Sequence, residues 1–340
     1  MLYGTCPRRF RIFICLFMNF RTEIKIERTK QDICHRNKIV SFGSCFSENI
    51  GERLASLKFD ILVNPFGILY NPESIRVSAE RLMDGSPLSE KEIFENQGLW
   101  HSFLHHSRFS KTSPGEFLAN ANDALTSASA FLKCSDLLLI TFGTAWVYRL
   151  KESGSIVSNC HKLPGDLFFR ERLSVDEIVK NYNSLLASLN RINPSLRVIF
   201  TVSPIRHWKD GANGNQLSKA TLLLAIEEIC KRNSNCEYFP AFEILMDELR
   251  DYRFYADDML HPSSAAVEYI WERFSDCYFS DETKGLIREI AKISASANHR
   301  PFNSDNERHA IFKKNLLAQI EKLSAKHPNL DFAKEIERLS

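Results

Sequence analysis

The sequence predicts an α/β fold in which a doubly wound, mostly parallel sheet is flanked by helices and followed by a C-terminal helical extension. Two observations lead to this prediction. Short apolar runs alternate with segments of helical periodicity along most of the 340 residues, which is typical of a parallel sheet covered on both faces. Most of the apolar runs also stop abruptly at small or polar residues, as strands do where they reach a ligand-binding crevice.

The strands are predicted from the apolar runs. The run LLLITF at 137–142 is the strongest signal, because an almost continuous apolar stretch is typical of a strand buried on both faces. Weaker runs predict the remaining strands at 38–42, 60–64, 196–202 and 237–242. We expect chemistry-bearing residues along one edge of the sheet, because four strands end at Gly43-Ser44, Asn64-Pro65-Phe66-Gly67, Gly143-Thr144 and Ser203-Pro204.

The helices are predicted from apolar residues that recur every three or four positions. They are expected from Pro72 onward and at 48–57, 116–131, 175–189, 219–231 and 264–274. After about residue 285 the sequence becomes polar and rich in turn formers, and an amphipathic helix follows at 307–324. We interpret this last part as a C-terminal helical extension that packs on the main domain or on a partner.

Composition argues against several classes of protein. The formal net charge is only +2, so bulk charge does not favour a nucleic-acid partner. No stretch of 18 consecutive apolar residues occurs, so no membrane span is predicted. The nine cysteines include no CxxC pair, so we expect no metal and no other cofactor. Scattered thiols of this kind favour a cytoplasmic location, while the oligomeric state stays open.

The first 17 residues differ in character from the rest. Arg8, Arg9 and Arg11 precede the short apolar stretch IFICLFM, which imitates a signal peptide but is followed by no small-residue cleavage site. Met18 then opens the ordinary start MNFRTEIKIE. The predicted organisation is therefore a non-native upstream segment, an α/β domain and the helical extension, at 1–17, 18–285 and 286–340.

The corner between the first strand and the first helix carries a candidate nucleophile, Ser44. A strand-to-helix corner exposes its side chain beyond the sheet edge, where free backbone N–H groups and the helix dipole favour negative charge. That environment suits a nucleophile whose attack creates an oxyanion. The alternative is an everyday turn in which the serine caps the helix.

A late stretch, DDMLHPSS at 257–264, supplies a candidate base for this serine. Asp258 and His261 are three residues apart, just before a helix that Pro262 opens. In a turn, the carboxylate can hold one ring nitrogen while the other nitrogen faces a hydroxyl. The alternative is a capping aspartate beside a surface histidine. A late loop of a doubly wound sheet can return to the crevice that holds the serine.

These two features resemble the SGNH (GDSL-like) hydrolase superfamily, in which a serine block follows the first strand and Asp-x-x-His lies in a late block. More closely, the chain is similar to the GSCFA family within that superfamily. The similarity extends over roughly residues 40 to 275. It rests on the stretches GSCFSENIGERL, NPFGILYNP, LWHSFLHHSRFS, TFGTAWVY, NCHKLP, TVSPIRHWKDG, SKATLLLAI and RFYADDMLHPSSAAVEYIWERF.

The resemblance implies an SGNH/flavodoxin-like fold and assigns roles to particular residues. By it, Ser44 is the nucleophile, His261 the general base and Asp258 the residue that orients the base. The backbone N–H groups of Ser44 and Gly67 would donate hydrogen bonds to the oxyanion. A serine, Ser47, stands where the family name has alanine.

One further departure concerns the oxyanion site. The superfamily places Gly-x-Asn after the third strand, and the asparagine side chain helps to bind the oxyanion. Here the same place reads Gly143-Thr144-Ala145. The loss of one oxyanion donor costs on the order of a hundredfold in rate. The candidate replacements are Thr144, Asn71 and Asn159.

Several other polar residues have both a functional and a structural interpretation. His106 is either a substrate-pocket residue or a structural histidine, and His161, beside Asn159, lies in either a functional loop or an ordinary turn. Arg206 follows a strand end, where it either binds an anionic substrate or caps the sheet. Trp146 and Tyr148 stack on a sugar or belong to the core.

The sequence therefore predicts a serine-dependent hydrolase that cleaves an ester through an acyl-serine intermediate. The expected substrate is a small-molecule or carbohydrate ester, with no nucleic-acid or membrane partner. One alternative is an O-acyltransferase that uses the same three residues, and another is a binding or scaffold module that kept the fold but lost turnover. Cys45 is expected to have a packing role, with a thiolate nucleophile as the alternative.

Overall fold

The structure is a computed structural model that describes residues 21–299 and 307–339, so the predicted upstream segment at 1–17 lies outside the described residues. The strands are β1 (Lys38–Gly43), β2 (Asp60–Val63), β3 (Phe94–Asn96), β4 (Leu99–His101), β5 (Leu137–Phe142), β6 (Trp146–Leu150), β7 (Ile156–Val157), β8 (Phe168–Arg172), β9 (Arg197–Val202) and β10 (Cys236–Tyr238). The α-helices are α1 (Cys45–Ser56), α2 (Pro72–Asp84), α3 (Pro114–Lys133), α4 (Val175–Ile192), α5 (Gly211–Arg232), α6 (Ala241–Glu243), α7 (Ser264–Tyr278), α8 (Asp281–Asn298), α9 (Glu307–Lys326) and α10 (Ala333–Leu339).

Five parallel strands form the central sheet in the order β10-β9-β5-β1-β2. This is the flavodoxin-like strand order, and the chain changes direction across the sheet between β1 and β5. In such sheets ligands bind beyond the carboxyl ends of the strands at this switch point. The predicted doubly wound, mostly parallel α/β fold is therefore confirmed, and the ends of β1 and β5 are where a site is expected.

Alternate residues of the central strands face opposite sides of the sheet. Val40 and Phe42 of β1 belong to a core shared with α2, α3, α4 and α5. Ile39 of the same strand belongs to a second core shared with α1 and α7. Because both faces are covered by helices, nearly every residue of β1 and β5 is buried, which explains why their sequences are continuous apolar runs.

The last central strand is shorter than predicted. The sequence at 237–242 predicts a strand, but β10 ends at Tyr238, and residues from Ala241 onward are helical. A helical turn follows at once as the π-helix Ile244–Glu248. The prediction was wrong beyond Tyr238 because Pro240 has no N–H to continue a ladder and stands at the N-cap of α6.

Two antiparallel sheets were not predicted. Strands β3 and β4 form a hairpin, and β7-β6-β8 form a three-stranded sheet that follows directly on the end of β5. Their strands are two to five residues long and largely half-exposed, so they lack an apolar run. The three-stranded sheet carries Trp146 and Tyr148 and forms one wall of the site described below.

The C-terminal part is helical, as predicted. Helices α8, α9 and α10 share a small apolar core that includes Ile290, Leu316, Ile320 and Phe332. An ion pair of 2.7 Å joins Lys58 of the main domain to Glu335, and both side chains are largely buried. Helix α8, which was not predicted, runs through the predicted domain boundary at residue 285, and the division into domains stays a prediction. Among the described residues, no helix is long and apolar enough to cross a bilayer.

Candidate active site

The corner between β1 and α1 requires glycine at position 43. Gly43 has a φ of +151°, and a Cβ there would lie 2.5 Å from the carbonyl oxygen of Thr141 on the neighbouring strand. Two hydrogen bonds fix the corner, because the Gly43 N–H donates to Asn64 Oδ1 and the Gly43 carbonyl accepts from Leu69 N–H, each at 2.9 Å. The close approach of two strand ends thus sets the position of Ser44.

Ser44 occupies the N-cap position of α1, but its hydroxyl does not cap the helix. The side chain is buried, at 1% exposure, and Ser44 Oγ forms no hydrogen bond with any described residue. Four other buried hydroxyls, those of Ser41, Ser74, Ser78 and Thr201, also have no partner among the described residues, but among these five residues only Ser44 lines the cavity described below. The alternative of an ordinary helix cap therefore has no support in this geometry.

The loop before α7 holds Asp258 and His261 together. Asp258 Oδ1 accepts the backbone N–H groups of Leu260 and His261, each at 2.9 Å, and His261 Nδ1 lies 2.5 Å from Asp258 Oδ2. The two backbone hydrogen bonds, followed by that of the imidazole, lower the pKa of Asp258 to about 2. The carboxylate is therefore ionised at neutral pH, Nδ1 carries the proton, and Nε2 is left as the acceptor.

Ser44 and His261 line the same cavity, which has a volume of about 650 Å³. The cavity lies beyond the carboxyl ends of β1, β5 and β9, at the switch point of the sheet. In this structure no hydrogen bond joins Ser44 Oγ to His261, since Ser44 Oγ has no partner among the described residues. The fold thus brings hydroxyl and imidazole to one cavity without closing the contact between them.

Of the residues expected to donate to the oxyanion, some line the cavity and others do not. Gly67 does not line the cavity, and its N–H donates to the Asn64 carbonyl at 2.7 Å in a turn covered by His106. Asn71 does line the cavity, where its Oδ1 accepts from Ser74 N–H at 2.8 Å as the cap of α2. That bond engages only Oδ1 and leaves the Asn71 amide NH₂ as a candidate donor.

Thr144 lines the cavity, but its hydroxyl is already engaged. Thr144 Oγ1 lies 3.0 Å from Ser218 Oγ and accepts from Trp146 N–H at 3.1 Å. These bonds tie the end of β5 to helix α5 and to the start of β6. Asn71 and Asn159 both line the cavity, and each uses its Oδ1 to accept a backbone N–H, so both keep the amide NH₂ as a donor. Asn71 lies beside the end of β5, because the carbonyl of its neighbour Tyr70 accepts from the Gly143 and Thr144 N–H groups.

The remaining predicted site residues divide into two groups. His106 and His161 do not line the cavity. His106 packs over Gly67 and accepts from Arg108 N–H, while the His161 ring is buried beside His101 and lies 2.9 Å from the Ser102 carbonyl. Burial lowers the pKa of both histidines, that of His161 to about 4. Asn159 and Arg206 do line the cavity.

Several cavity residues were not among the predicted site residues. Desolvation by burial lowers the pKa of His207 to about 4, so the ring is neutral at physiological pH. Its Nε2 has no hydrogen-bond partner among the described residues. The other such residues include Cys45, Tyr70, Trp146, Tyr148, Lys162, Trp208 and Lys209. The sequence indicates Cys45 as an alternative nucleophile and Trp146 and Tyr148 as residues that could stack on a sugar. For the others the only signal is a position next to strand ends or in polar loops.

A buried lysine ties two strand ends together behind the cavity. Lys219 of α5 is 1% exposed, and its Nζ donates to the carbonyl oxygens of Gly143 at 2.8 Å and Ser203 at 2.7 Å. Desolvation lowers its pKa from the usual 10.5 to about 7. A neutral amine still has two N–H groups for the two carbonyls, so the bonds survive deprotonation.

This lysine predicts a pH dependence of stability. Between pH 7 and about 10, the unfolded chain binds a proton at Lys219 that the folded chain does not, so the free energy of unfolding rises with pH. The slope is at most about 1.4 kcal/mol per pH unit and vanishes below pH 7. Urea denaturation of the wild type and of Lys219→Met across this range measures the difference in slope. Lys231→Met on the exposed face of the same helix serves as the control, and parallel profiles for all three proteins would contradict the prediction.

No group of three or more histidine, cysteine, aspartate or glutamate side chains within 21–299 and 307–339 is arranged to hold a metal ion. A hydroxyl at a helix start, an imidazole held by a carboxylate, and an amide donor are the groups that acyl transfer requires.

Two family models match this chain. The model of the GSCFA family matches residues 38–274, and that of the GSCFA domain protein, C-terminal domain, matches residues 290–340. A search of curated proteins found no match.

The chain is also similar to several solved structures, at low identity. A carbohydrate esterase family 3 from Talaromyces cellulolyticus is 11% identical over 74% of this chain and 99% of that chain, with a TM-score of 0.33. The Clostridium thermocellum family 3 carbohydrate esterase is 12% identical over 75% and 98%, with a TM-score of 0.30. An acetyl xylan esterase from the rumen bacterium Butyrivibrio proteoclasticus is 10% identical over 72% and 63%, with a TM-score of 0.36. Similarity of this degree says nothing about the substrate of this chain.

Proposed function

This chain belongs to the GSCFA family, and we propose that it is a serine-dependent hydrolase that cleaves an ester through an acyl-serine intermediate. One observation carries the proposal. Ser44, whose hydroxyl is buried and unpartnered among the described residues, lines the same cavity as an imidazole that the ionised Asp258 orients. A weak nucleophile needs an adjacent base, and an orienting carboxylate keeps that base in the productive tautomer.

In the proposed reaction, His261 Nε2 accepts the proton of Ser44 Oγ as that oxygen attacks the ester carbonyl. This step requires the two atoms to come within hydrogen-bond distance when substrate binds, and such contacts are often long in the free enzyme. His261 then gives the proton to the leaving alcohol. Water, activated by the same imidazole, releases the acyl group from Ser44 and restores the enzyme.

The oxyanion that forms during the attack needs donors at the start of α1. We assign this role to the Ser44 backbone N–H and to the Asn71 amide, which lines the cavity. The positive end of the α1 dipole adds to their effect. In this proposal the Asn71 amide takes the place of the asparagine side chain that is missing at Ala145.

The substrate class we propose is a small-molecule or carbohydrate ester. Trp146, Tyr148 and Trp208 line the cavity, and aromatic side chains with a polar tip suit the mixed apolar and hydroxyl surface of a sugar. The volume of about 650 Å³ accommodates a ligand of one or two sugar rings.

A second candidate function is a binding module without turnover. It is favoured by two observations: Ser44 Oγ forms no hydrogen bond with His261, and the Thr144 hydroxyl is engaged elsewhere. A module of this kind would use the same cavity for recognition alone.

Covalent labelling distinguishes the two functions. We expect a fluorophosphonate to modify the folded protein on Ser44, because only an activated serine attacks phosphorus quickly. Asp258→Asn is expected to slow labelling by on the order of 10² to 10⁴, since the amide fixes the imidazole in the wrong tautomer. Peptide mass spectrometry locates the adduct, and the rate is followed by loss of free active sites.

Two controls sharpen the labelling experiment. Ser158 lines the same cavity and is half-buried, and it should stay unmodified, which shows that the reagent reports activation and not mere proximity to the cavity. Folded wild-type protein that is never labelled would leave the binding module as the function of this cavity.

A further inference from the structure

The cavity wall carries more positive than negative charge. Among the lining residues, four cations, Lys162, Arg170, Arg206 and Lys209, stand against one carboxylate, Asp210. Arg170 binds both oxygens of that carboxylate, at 2.8 and 2.6 Å, so this pair neutralises itself. The other three cations form no ion pair with any carboxylate of the described residues.

Of the three unpaired cations, Arg206 is the least exposed to solvent. It is half-buried, its guanidinium lies over the Trp208 ring at 4.6 Å, and its buried Nε has no hydrogen-bond partner among the described residues. Burial without a partner charge disfavours an ionised group, so a half-buried, unpaired guanidinium gains when an anion binds beside it. Its planar fork matches the two oxygens of a carboxylate or phosphate.

Arg206 also lies beside the proposed catalytic loop. Its backbone N–H donates to the Leu260 carbonyl at 3.3 Å, one residue before His261. A ligand group bound by Arg206 would therefore be part of a molecule that also reaches Ser44 across the cavity. On the same cavity wall, the Tyr148 hydroxyl accepts hydrogen bonds from both Arg170 and Lys209, which holds a second cation facing the cavity.

We infer that the ester this cavity accepts carries an anionic group, a carboxylate or a phosphate, which Arg206 binds with help from Lys209. That the bound molecule is an ester rests on the proposed hydrolase function. The anion site itself does not require turnover. The charge of the cavity thus selects substrates that a purely aromatic pocket would not distinguish.

A pair of ligands that the enzyme does not turn over tests this inference. Succinanilic acid and acetanilide share the same anilide, but only the first carries a carboxylate. Isothermal titration of the wild-type protein is expected to show at least tenfold tighter binding of succinanilate, and 0.5 M NaCl should weaken that preference. Arg206→Gln is expected to abolish it, while Arg191→Gln, an exposed arginine of α4, should leave it unchanged.

Three results of the titrations would contradict the anion site. Equal affinity for the two ligands, no binding of succinanilate, or a preference that survives Arg206→Gln would each overturn the inference. Phenyl phosphate, titrated in parallel, shows whether phosphate or carboxylate is the better anion. Because no ligand is hydrolysed, absence of fluorophosphonate labelling would refute the hydrolase without affecting this result.

Discussion

Replacing Ser44 with alanine is expected to lower kcat for an aryl ester on the order of 10⁴-fold or more, without a matching loss of stability. The loss of rate follows because the acyl-serine intermediate cannot form. The free energy of unfolding should change by less than about 1 kcal/mol, because Ser44 Oγ forms no hydrogen bond and does not cap α1. Steady-state kinetics with p-nitrophenyl acetate and urea denaturation of the same preparations measure both quantities.

Cys45→Ala is the matched control for this prediction. The Cys45 thiol is the neighbouring nucleophile, lines the same cavity, and lies 3.8 Å from the Tyr70 hydroxyl. Its loss is expected to change kcat by no more than a few fold. The opposite pattern, with activity retained in Ser44→Ala and lost in Cys45→Ala, would assign the chemistry to the thiol and refute the role proposed for Ser44.

Gly43→Ala is expected to destabilise the protein by roughly 3 to 5 kcal/mol and to reduce kcat by about 10²-fold. The added methyl group would lie 2.5 Å from Thr141 O and 2.7 Å from Thr141 Cβ, so β1 and β5 would have to separate at their ends. A displacement of about 1 Å at Ser44 accounts for the loss of rate. Urea denaturation and the kinetics used for Ser44→Ala measure the two effects.

Gly154→Ala separates the effect of backbone conformation from that of the contact. Gly154 has a φ of +71°, but a Cβ there meets no atom within 4 Å. Only left-handed strain remains, so this substitution should cost about 1 kcal/mol and leave kcat unchanged. Similar destabilisation by both substitutions would show that the close approach of Thr141 does not set the position of the corner.

The elements that the sequence predicted well are those in which successive residues have the same or a regularly alternating degree of burial. β5 is covered on both faces, so its six residues are buried and its sequence is almost continuously apolar. The strands of the antiparallel sheet at 146–172 are partly exposed, so their apolar residues are interrupted and their pattern does not differ from that of a loop. Half-exposed short strands are stabilised by their partners, which a local pattern does not reveal.

The candidate site shows the same division. His106 and His161 lie in polar, aromatic-rich stretches as a pocket residue would, yet the folded chain turns one over Gly67 and buries the other beside His101. Arg206 and Asn71 have no stronger local signal, and the structure places both at the cavity. The local sequence shows which functional groups are available, but it does not show which of them line the same cavity.

By itself, the sequence determined the α/β class, the Ser44 corner and the Asp258–His261 turn, because each depends on residues that are neighbours along the chain. Only the tertiary structure decided that these two segments border one cavity, that Gly67 faces elsewhere, and that Arg206 stands unpaired beside them. The physical reason is that strand, turn and cap formation follow from local backbone and side-chain chemistry. The composition of a cavity follows instead from how distant segments pack, and that packing depends on the whole core.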